Sequence, residues 1–401
     1  MPPSRAGSLE SLRRLNRLRV IRALRDEGQI SRAEIARRTG LSRSTVSSLV
    51  ADLQADGLVV ERPEPGSAHG AQGGRPPILL SFDASAGAAV GVDFGHSHLR
   101  VAVSDLAGTI LAERTRPLDT DHDAHEGLDM AAELVAETLA DADIAKRLVI
   151  GAGVGLPGPV DQGDGTVHSS AILPGWIGMT AANELQQRLE IPVMVDNDAN
   201  LGALAEAAFG AGRDATDLVY LKVSSGIGAG LILNGRLYRG SAGLAGELGH
   251  VLVDPEGIVC RCGNRGCLET VAASGALVDR LRETRGEDVS IEGVLELARS
   301  GDAVARDLVY QAGRALGTVS ATLLNLLNPE MLVVGGQLAA AGDLLLDGVR
   351  ESVARAALPE TSRGAKLVAG VLGDRAHVLG ALALVVSEAD RALPTRLALA
   401  G

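Results

Sequence analysis

VGVDFGHSHLRVAVSDLAG, residues 90–108, reads as two apolar strands joined at an Asp93-Phe94-Gly95 turn. From Val90 onward, apolar strand-like runs alternate with helical stretches, which implies an α/β architecture. Before it the pattern is different: short amphipathic helices separated by glycines.

The chain has 401 residues, of which 46% are hydrophobic and 22% charged. That length can bury a sizeable core and allows two or three domains. The composition excludes a disordered or fibrous protein. No uncharged run of 18 apolar residues occurs, so no transmembrane helix is expected. Residues 1–10 lack the apolar core of a signal peptide, so the expected location is the cytoplasm. Three cysteines argue against a disulfide scaffold.

The formal net charge of −12 disfavours nucleic acid as a partner, but the charge is unevenly placed. Residues 1–62 hold 12 Arg and no Lys against 7 acidic residues, a net of +5, which leaves −17 on the rest. A small basic head on a large acidic body is the distribution expected when only the head meets phosphates. The acidic body makes direct membrane binding an unexpected role.

Within the head, Val20, Ile21 and Leu24 share one face of a first helix ending near Gly28. Ser31 reads as an N-cap with Glu34 at the capping-box position, opening a short helix that stops at Gly40. Ser42 opens a third helix, whose Val46, Leu49, Val50 and Leu53 follow a helical core spacing. ISRAEIARRTGLSRSTVSSLVADLQADGLV, residues 30–59, thus reads as a helix-turn-helix and resembles the winged form of bacterial repressors. Ser42, Arg43, Ser44, Thr45 and Ser48 are left to face a major groove, with Arg43 able to pair with guanine. Arg32, Arg37 and Arg38 are candidates for phosphates. RPEPGSAHGAQGGRPP, residues 62–77, reads as a flexible wing tip, and Ile78 to Phe82 as the returning strand. Arg75 there suits an A·T-rich minor groove, or else sits in a loose linker.

All three cysteines lie in Cys260-x-Cys262-x4-Cys267, with His250 ten residues upstream. Three thiolates and an imidazole have the composition of a closed structural zinc site, with no position open for water. A disulfide between adjacent Cys-x-Cys residues is disfavoured by geometry. Glu247 and Glu269 flank this cluster, so an ion there would pin both carboxylates onto nearby backbone.

Several further motifs occur in order: VGLPGPVD at 154–161, VDNDANLGALAE at 195–206, KVSSGIGAGLILNGRLYRG at 222–240, GELGHVLV at 246–253, CRCGNRGCLE at 260–269 and MLVVGGQLAAAG at 331–342. Together they resemble the ROK family of repressors and sugar kinases over about residues 83–390. With the winged head, the likeness is to ROK transcriptional regulators. The resemblance implies an actin-like ATPase fold of two α/β lobes around a cleft. It also implies that Asn197, Asp198, Glu247, His250 and Glu269 contact a hexose, with Asp198 as the catalytic base in a kinase.

The phosphate side departs from the family's kinases. The nucleotide positions implied by the resemblance are Asp93, Gly95, Ser97, Ser225, Gly226, Gly228, Gly335 and Gly336. At the first turn, where the kinases have Asp-x-Gly-Gly-Thr-Lys, this chain has Asp93-Phe94-Gly95-His96-Ser97-His98. His96 puts a side chain where backbone should approach ATP, and His98 replaces a permanently charged residue. The two histidines could alternatively ligate a metal, and Gly335-Gly336 could serve packing alone. Trp176, the one tryptophan, either lines the cleft or fills the core.

The expected molecule is therefore a winged helix-turn-helix at 1–82 followed by a two-lobed α/β body. The first lobe is expected at 83–195, completed by a C-terminal helix within 376–401, and the second at 196–375. The expected function is a sugar-responsive repressor, not an enzyme, with ATP and Mg²⁺ not required. Its expected partners are a palindromic double-stranded operator, bound as a homodimer or tetramer, and a monosaccharide effector. Two other classes stay open: an ATP-dependent hexose kinase with a DNA-binding head, and a regulator whose cleft takes a phosphotransferase-type protein.

Overall fold

A computed structural model describes residues 5–63, 78–158, 160–161, 166–167, 173–286 and 288–396. The head is built from α1 (Arg5–Glu27), β1 (Ile30–Ser31), α2 (Arg32–Thr39), α3 (Arg43–Ala55), β2 (Val59–Pro63) and β3 (Ile78–Phe82). Its boundaries are set by local chemistry. The Ser31 hydroxyl accepts from the Glu34 amide, and Ser42 from Thr45, which caps the two recognition-motif helices. Gly40 closes α2 at φ 70, a conformation that costs a glycine little. The strands pair antiparallel in the order β1-β3-β2, with Pro63 opposite Ile78. Most of the expected wing tip, and Arg75 with it, lies outside the described residues.

The body contains two five-stranded sheets with the same strand plan. The first has the order β6-β5-β4-β7-β8, formed by β4 (Ala88–Phe94), β5 (His98–Asp105), β6 (Ile110–Pro117), β7 (Val149–Leu156) and β8 (Val193–Asn197). Here β4, β5 and β6 form an antiparallel meander, and β7 and β8 add in parallel. Central β4 is buried at every residue, whereas edge strand β6 is half exposed and carries Glu113, Arg114 and Arg116. Such charges protect an edge from further pairing. Helices α4 (Ala124–Asp141) and α5 (Ala181–Leu189) cover one face.

The second sheet repeats the plan as β11-β10-β9-β12-β13, formed by β9 (Leu218–Val223), β10 (Ile227–Leu233), β11 (Arg236–Tyr238), β12 (Met331–Gly335) and β13 (Lys366–Ala369). Helix α6 (Asp198–Phe209) packs on it, and α7 (Glu269–Ala272), α8 (Ser274–Arg285), α9 (Ile291–Arg299), α10 (Ala303–Leu327), α11 (Asp343–Ala356) and α12 (Pro359–Gly364) follow in the same half. Strand β8 carries the first sheet to Asn197, two residues past the point at which the sequence reading changes lobe.

Helix α13 (Ala376–Arg396) returns to the first sheet and also lies against α6. Glycines permit this close approach. A Cβ on Gly153 of β7 would sit 2.1 Å from the Ala381 carbonyl, and one on Gly380 would sit 1.9 Å from the Leu201 carbonyl. Trp176 is fully buried, meets Phe94 edge to face at 5.1 Å and donates to the Thr120 carbonyl at 2.8 Å, so it fills the first lobe's core. Among the described residues, no helix is long and apolar enough to cross a membrane.

Candidate functional site

In the head, Val46, Leu49, Val50 and Leu53 of α3 are buried, and Arg43, Ser44 and Ser48 are exposed on the other face. The Ser42 hydroxyl is engaged as the helix cap and lies 2.8 Å from Thr45 Oγ1, so both hydroxyls start from intramolecular bonds. Arg43 has no acidic partner among the described residues and is the cation of this helix free to extend. Arg32 instead pairs with Glu61 at 2.9 Å and bonds Gln54, Arg37 pairs with Glu34, and Arg38 pairs with Glu27 and Glu34.

The cysteine cluster assembles as its spacing predicts. One donor atom from each of His250, Cys260, Cys262 and Cys267 falls within 4.8 Å of all the others. Cys262 and Cys267 Sγ are 3.7 Å apart, and His250 Nδ1 is 3.6 Å from Cys260 Sγ. A tetrahedral ion with ordinary metal–sulfur and metal–nitrogen bonds separates two sulfurs by about 3.8 Å, and sulfur from nitrogen by about 3.6 Å. The donors thus fit a closed tetrahedral site, and the sulfurs are too far apart for a disulfide. Burial, with two neighbouring thiols, pushes the Cys267 thiol up to about 12. A divalent cation would reverse that shift, because thiolates are its ligands.

His250 joins this cluster to an interlobe cleft, which it lines together with Asn197, Asp198 and Glu247. Its Nδ1 faces Cys260, while its Nε2 lies 3.9 Å from the Glu247 carboxylate. Desolvation in the cleft, opposed by His250, raises the Glu247 pKa. Asn197 caps α6 through Oδ1, which accepts from the Ala199 amide at 2.8 Å; its Nδ2 donates to the Gly158 carbonyl. Asp198 follows as the first residue of α6. Asn197, Asp198, Glu247, His250 and Glu269 all line the same cleft.

Three cations that the sequence reading missed also lie there or beside it. Lys222 of β9 donates to Asp198 Oδ2. Burial opposes ionisation of Asp198, but the Lys222 charge, with His377 and His96, holds its carboxyl below the ordinary range. Arg261, between two of the cysteines, forks onto both oxygens of Glu269 at 2.7 Å. Arg239 brings Nε and Nη2 to one oxygen of Asp196, Oδ2, at 2.8 and 2.6 Å. Lys222 had a visible signal: a lone lysine in the apolar run LVYLKV must be buried and paired.

Side chains crowd the phosphate side. The His98 ring lies against Gly95, where an added Cβ would meet its Cε1 at 2.2 Å, and His98 Nε2 is 3.3 Å from Asp93 Oδ2. His96 turns to Asp121 at 2.8 Å. The two histidines take different carboxylates and share no metal-like cluster among the described residues. Ser97 is exposed outside the cleft lining. Ser225 is likewise exposed and faces a separate groove beside α8. Arg261 and Glu269 lie across Gly226, while Gly228 packs near Ala199. Gly335 abuts the Tyr220 ring, and Gly336, at φ 82, abuts the Val223 backbone. Both of these glycines thus have packing reasons.

The model of the ROK family matches residues 89–388, and that of a MarR family matches residues 14–68. The chain is 31% identical over 396 residues to the xylose repressor of Caldicellulosiruptor bescii, covering 95% of this chain and 98% of that protein. It is 32% identical over 391 residues to the N-acetylglucosamine repressor of Escherichia coli O6:H1, covering 94% of each. A crystal structure of a ROK family transcriptional regulator, described as a homologue of the E. coli MLC protein, superposes with a TM-score of 0.85. It is 28% identical and covers 97% of this chain and 100% of that one. A winged head, a cleft ringed by acids and amides, and a family model spanning most of the body lead to one conclusion: this chain belongs to the ROK family.

Proposed function

We propose that the protein is a sugar-responsive transcriptional repressor of the cytoplasm, whose operator affinity is changed by a monosaccharide in the interlobe cleft. The observation that carries this reading is the asymmetry of the cleft. The acids and amide on its sugar side converge, whereas His98 covers the phosphate turn and Lys222 engages Asp198. Phosphoryl transfer needs a free base and an in-line donor together; the Lys222 pair on Asp198 opposes the first and the His98 ring over Gly95 the second. Relatives named as repressors of two different sugars support the class of function without naming the sugar for this chain.

In this reading Asn197, Asp198, Glu247 and Glu269 accept from or donate to sugar hydroxyls. A zinc ion on His250 Nδ1, Cys260, Cys262 and Cys267 fixes the tautomer of His250, so that Nε2–H points a donor into the cleft. With four protein ligands the ion has no open position, so its role is structural. The recognition helix enters a major groove, with Arg43, Ser44, Thr45 and Ser48 nearest the bases and Ser42 holding the helix start. Arg32 and Arg75 serve the phosphate backbone and the minor groove. A dimer on a palindrome would place the two recognition helices about 34 Å apart.

The test is fluorescence anisotropy on the upstream promoter DNA, titrated with a panel of sugars in the absence of ATP. One sugar should change operator affinity, and Glu247→Ala or Asp198→Ala should abolish that response. Operator must then change sugar affinity by the same factor. A response that requires Mg-ATP as well as sugar, with phosphorylated product lost in Asp198→Asn, would overturn the reading in favour of a kinase.

A further inference from the structure

Lys222 is one of three lysines in the chain, and it lies in β9, a strand buried at all six residues. Its side chain is 10% exposed and that of Asp198 is 9% exposed. A lysine in such a place requires a counter-charge, because an unpaired buried ammonium is strongly disfavoured. The Nζ donates to Asp198 Oδ2, which joins the second sheet to the first residue of α6. The N-terminus of α6 adds its own positive end to the same carboxylate. Among the described residues, Asp198 Oδ1 accepts no hydrogen bond, although Asp198 lines the cleft.

Other titratable groups lie within electrostatic reach of this carboxylate. They are His377 from α13, His96 from the turn after β4, Tyr220 beside Lys222 on β9, and Glu247 across the cleft. Lys222 is the one permanent cation among them.

We propose that Lys222 is a positioning residue that keeps Asp198 ionised as a hydrogen-bond acceptor, leaving its second oxygen for a ligand hydroxyl and denying the carboxylate a role as base. A general base must take up a proton near working pH. A carboxylate paired with an ammonium in a poorly solvated site has lost that proton affinity, but it still accepts hydrogen bonds strongly. The same lysine therefore weakens catalysis and strengthens recognition. The inference rests on the reading of the cleft as a sugar site.

The experiment uses the full-length protein with ¹³C-labelled aspartate carboxyls, with the Asp198 signal assigned by its loss in Asp198→Asn. The sugar-free wild type should show Asp198 ionised throughout, from about pH 5 to 8. In Lys222→Met the carboxyl should become protonated within that window, and Lys222→Arg should restore the wild-type behaviour. His96 and His377 are present in all three proteins, so their titration cancels. Titration of Asp198 inside the window in wild type overturns the proposal even if Lys222→Met does not fold. So does an Asp198 that stays ionised in folded Lys222→Met. In parallel, sugar affinity of Lys222→Met should fall roughly tenfold as Asp198 protonates, a loss absent from wild type. If the carboxyl shifts as stated but no sugar binds any of the proteins, Lys222 keeps its effect on Asp198 and the sugar reading fails instead.

Discussion

The guanidinium of Arg239, just after β11 in the second sheet, reaches the buried carboxylate of Asp196 in β8 of the first, with Nη2 2.6 Å from Oδ2. Asp196 Oδ1 also accepts from the Asn197 amide and Asn200 Nδ2. The chain runs from Asp196 into Asn197 and Asp198, and from Arg239 through the glycine-rich turn to Glu247. One ion pair thus fastens together two of the segments that carry sugar-side groups, those of Asp198 and of Glu247.

Removing the guanidinium leaves Asp196 buried and only partly satisfied. Arg239→Met should therefore lower stability by about 3–5 kcal/mol, measured by urea denaturation. Sugar affinity should fall as well, since Glu247 loses its anchor to β8. Arg239→Lys should recover only part of both, because an ammonium cannot reproduce the paired Nε and Nη2 contact.

Leu106, in the turn between β5 and β6, is fully buried in the hydrophobic core of the winged head. Its amide donates to the Ala84 carbonyl at 3.0 Å, and Ile150 of β7 packs both there and against the cluster under α13. Head and first lobe thus share a core. Leu106→Ala should cost about 2–5 kcal/mol. Calorimetry should show the head melting as a separate, earlier transition, and the ligand-dependent change in operator affinity should weaken.

Ser42 and Arg43 should separate folding from recognition. Ser42→Ala removes the α3 cap and should destabilise the head by about 0.5–2 kcal/mol, with binding lost only in proportion to unfolding. Arg43→Ala should leave the melting temperature unchanged and weaken operator binding. A reduced salt slope would mark a phosphate contact, whereas relaxed preference at one base pair would mark base readout.

Metal removal should act on the ligand rather than on DNA first. Chelation, or Cys260→Ser, should leave the chain without the one zinc expected by elemental analysis and abolish the sugar response, because Glu247 and Glu269 lie on segments that such an ion would tie together. Operator binding without sugar should persist, since the head's core includes none of the four ligands.

Acid should expose the Asp198 pair. Lys222 holds the folded carboxyl below 3.8, the ordinary value, against the opposing effect of burial. Its stabilisation is therefore full above 3.8 and is lost as pH falls through the lower folded value. In thermal melts, Asp198→Asn should be destabilised at neutral pH, and its deficit from wild type should shrink below about pH 4.

Much of the fold was legible because its signals are local. The caps at Ser31 and Ser42, the αL turn at Gly40 and the core spacing from Val46 to Leu53 each involve residues within a turn or two of one another. Cys260, Cys262 and Cys267 lie close enough in sequence for their spacing to imply one cluster, and they form one. The two sheets were visible only as alternating runs. That they share one strand order emerged from pairing between distant segments.

By itself, then, the sequence determined a basic winged head, an α/β body, a four-ligand cluster and the acids beside it, since short-range geometry and residue type suffice for these. Only the tertiary structure decided which carboxylates are free. Asp198 meets Lys222 across 24 residues, Asp196 meets Arg239 across 43, and the His98 ring folds back over Gly95. The physical reason is that a buried charge takes its partner from whatever the packing brings within a few ångströms, and residue spacing along the chain does not encode that distance.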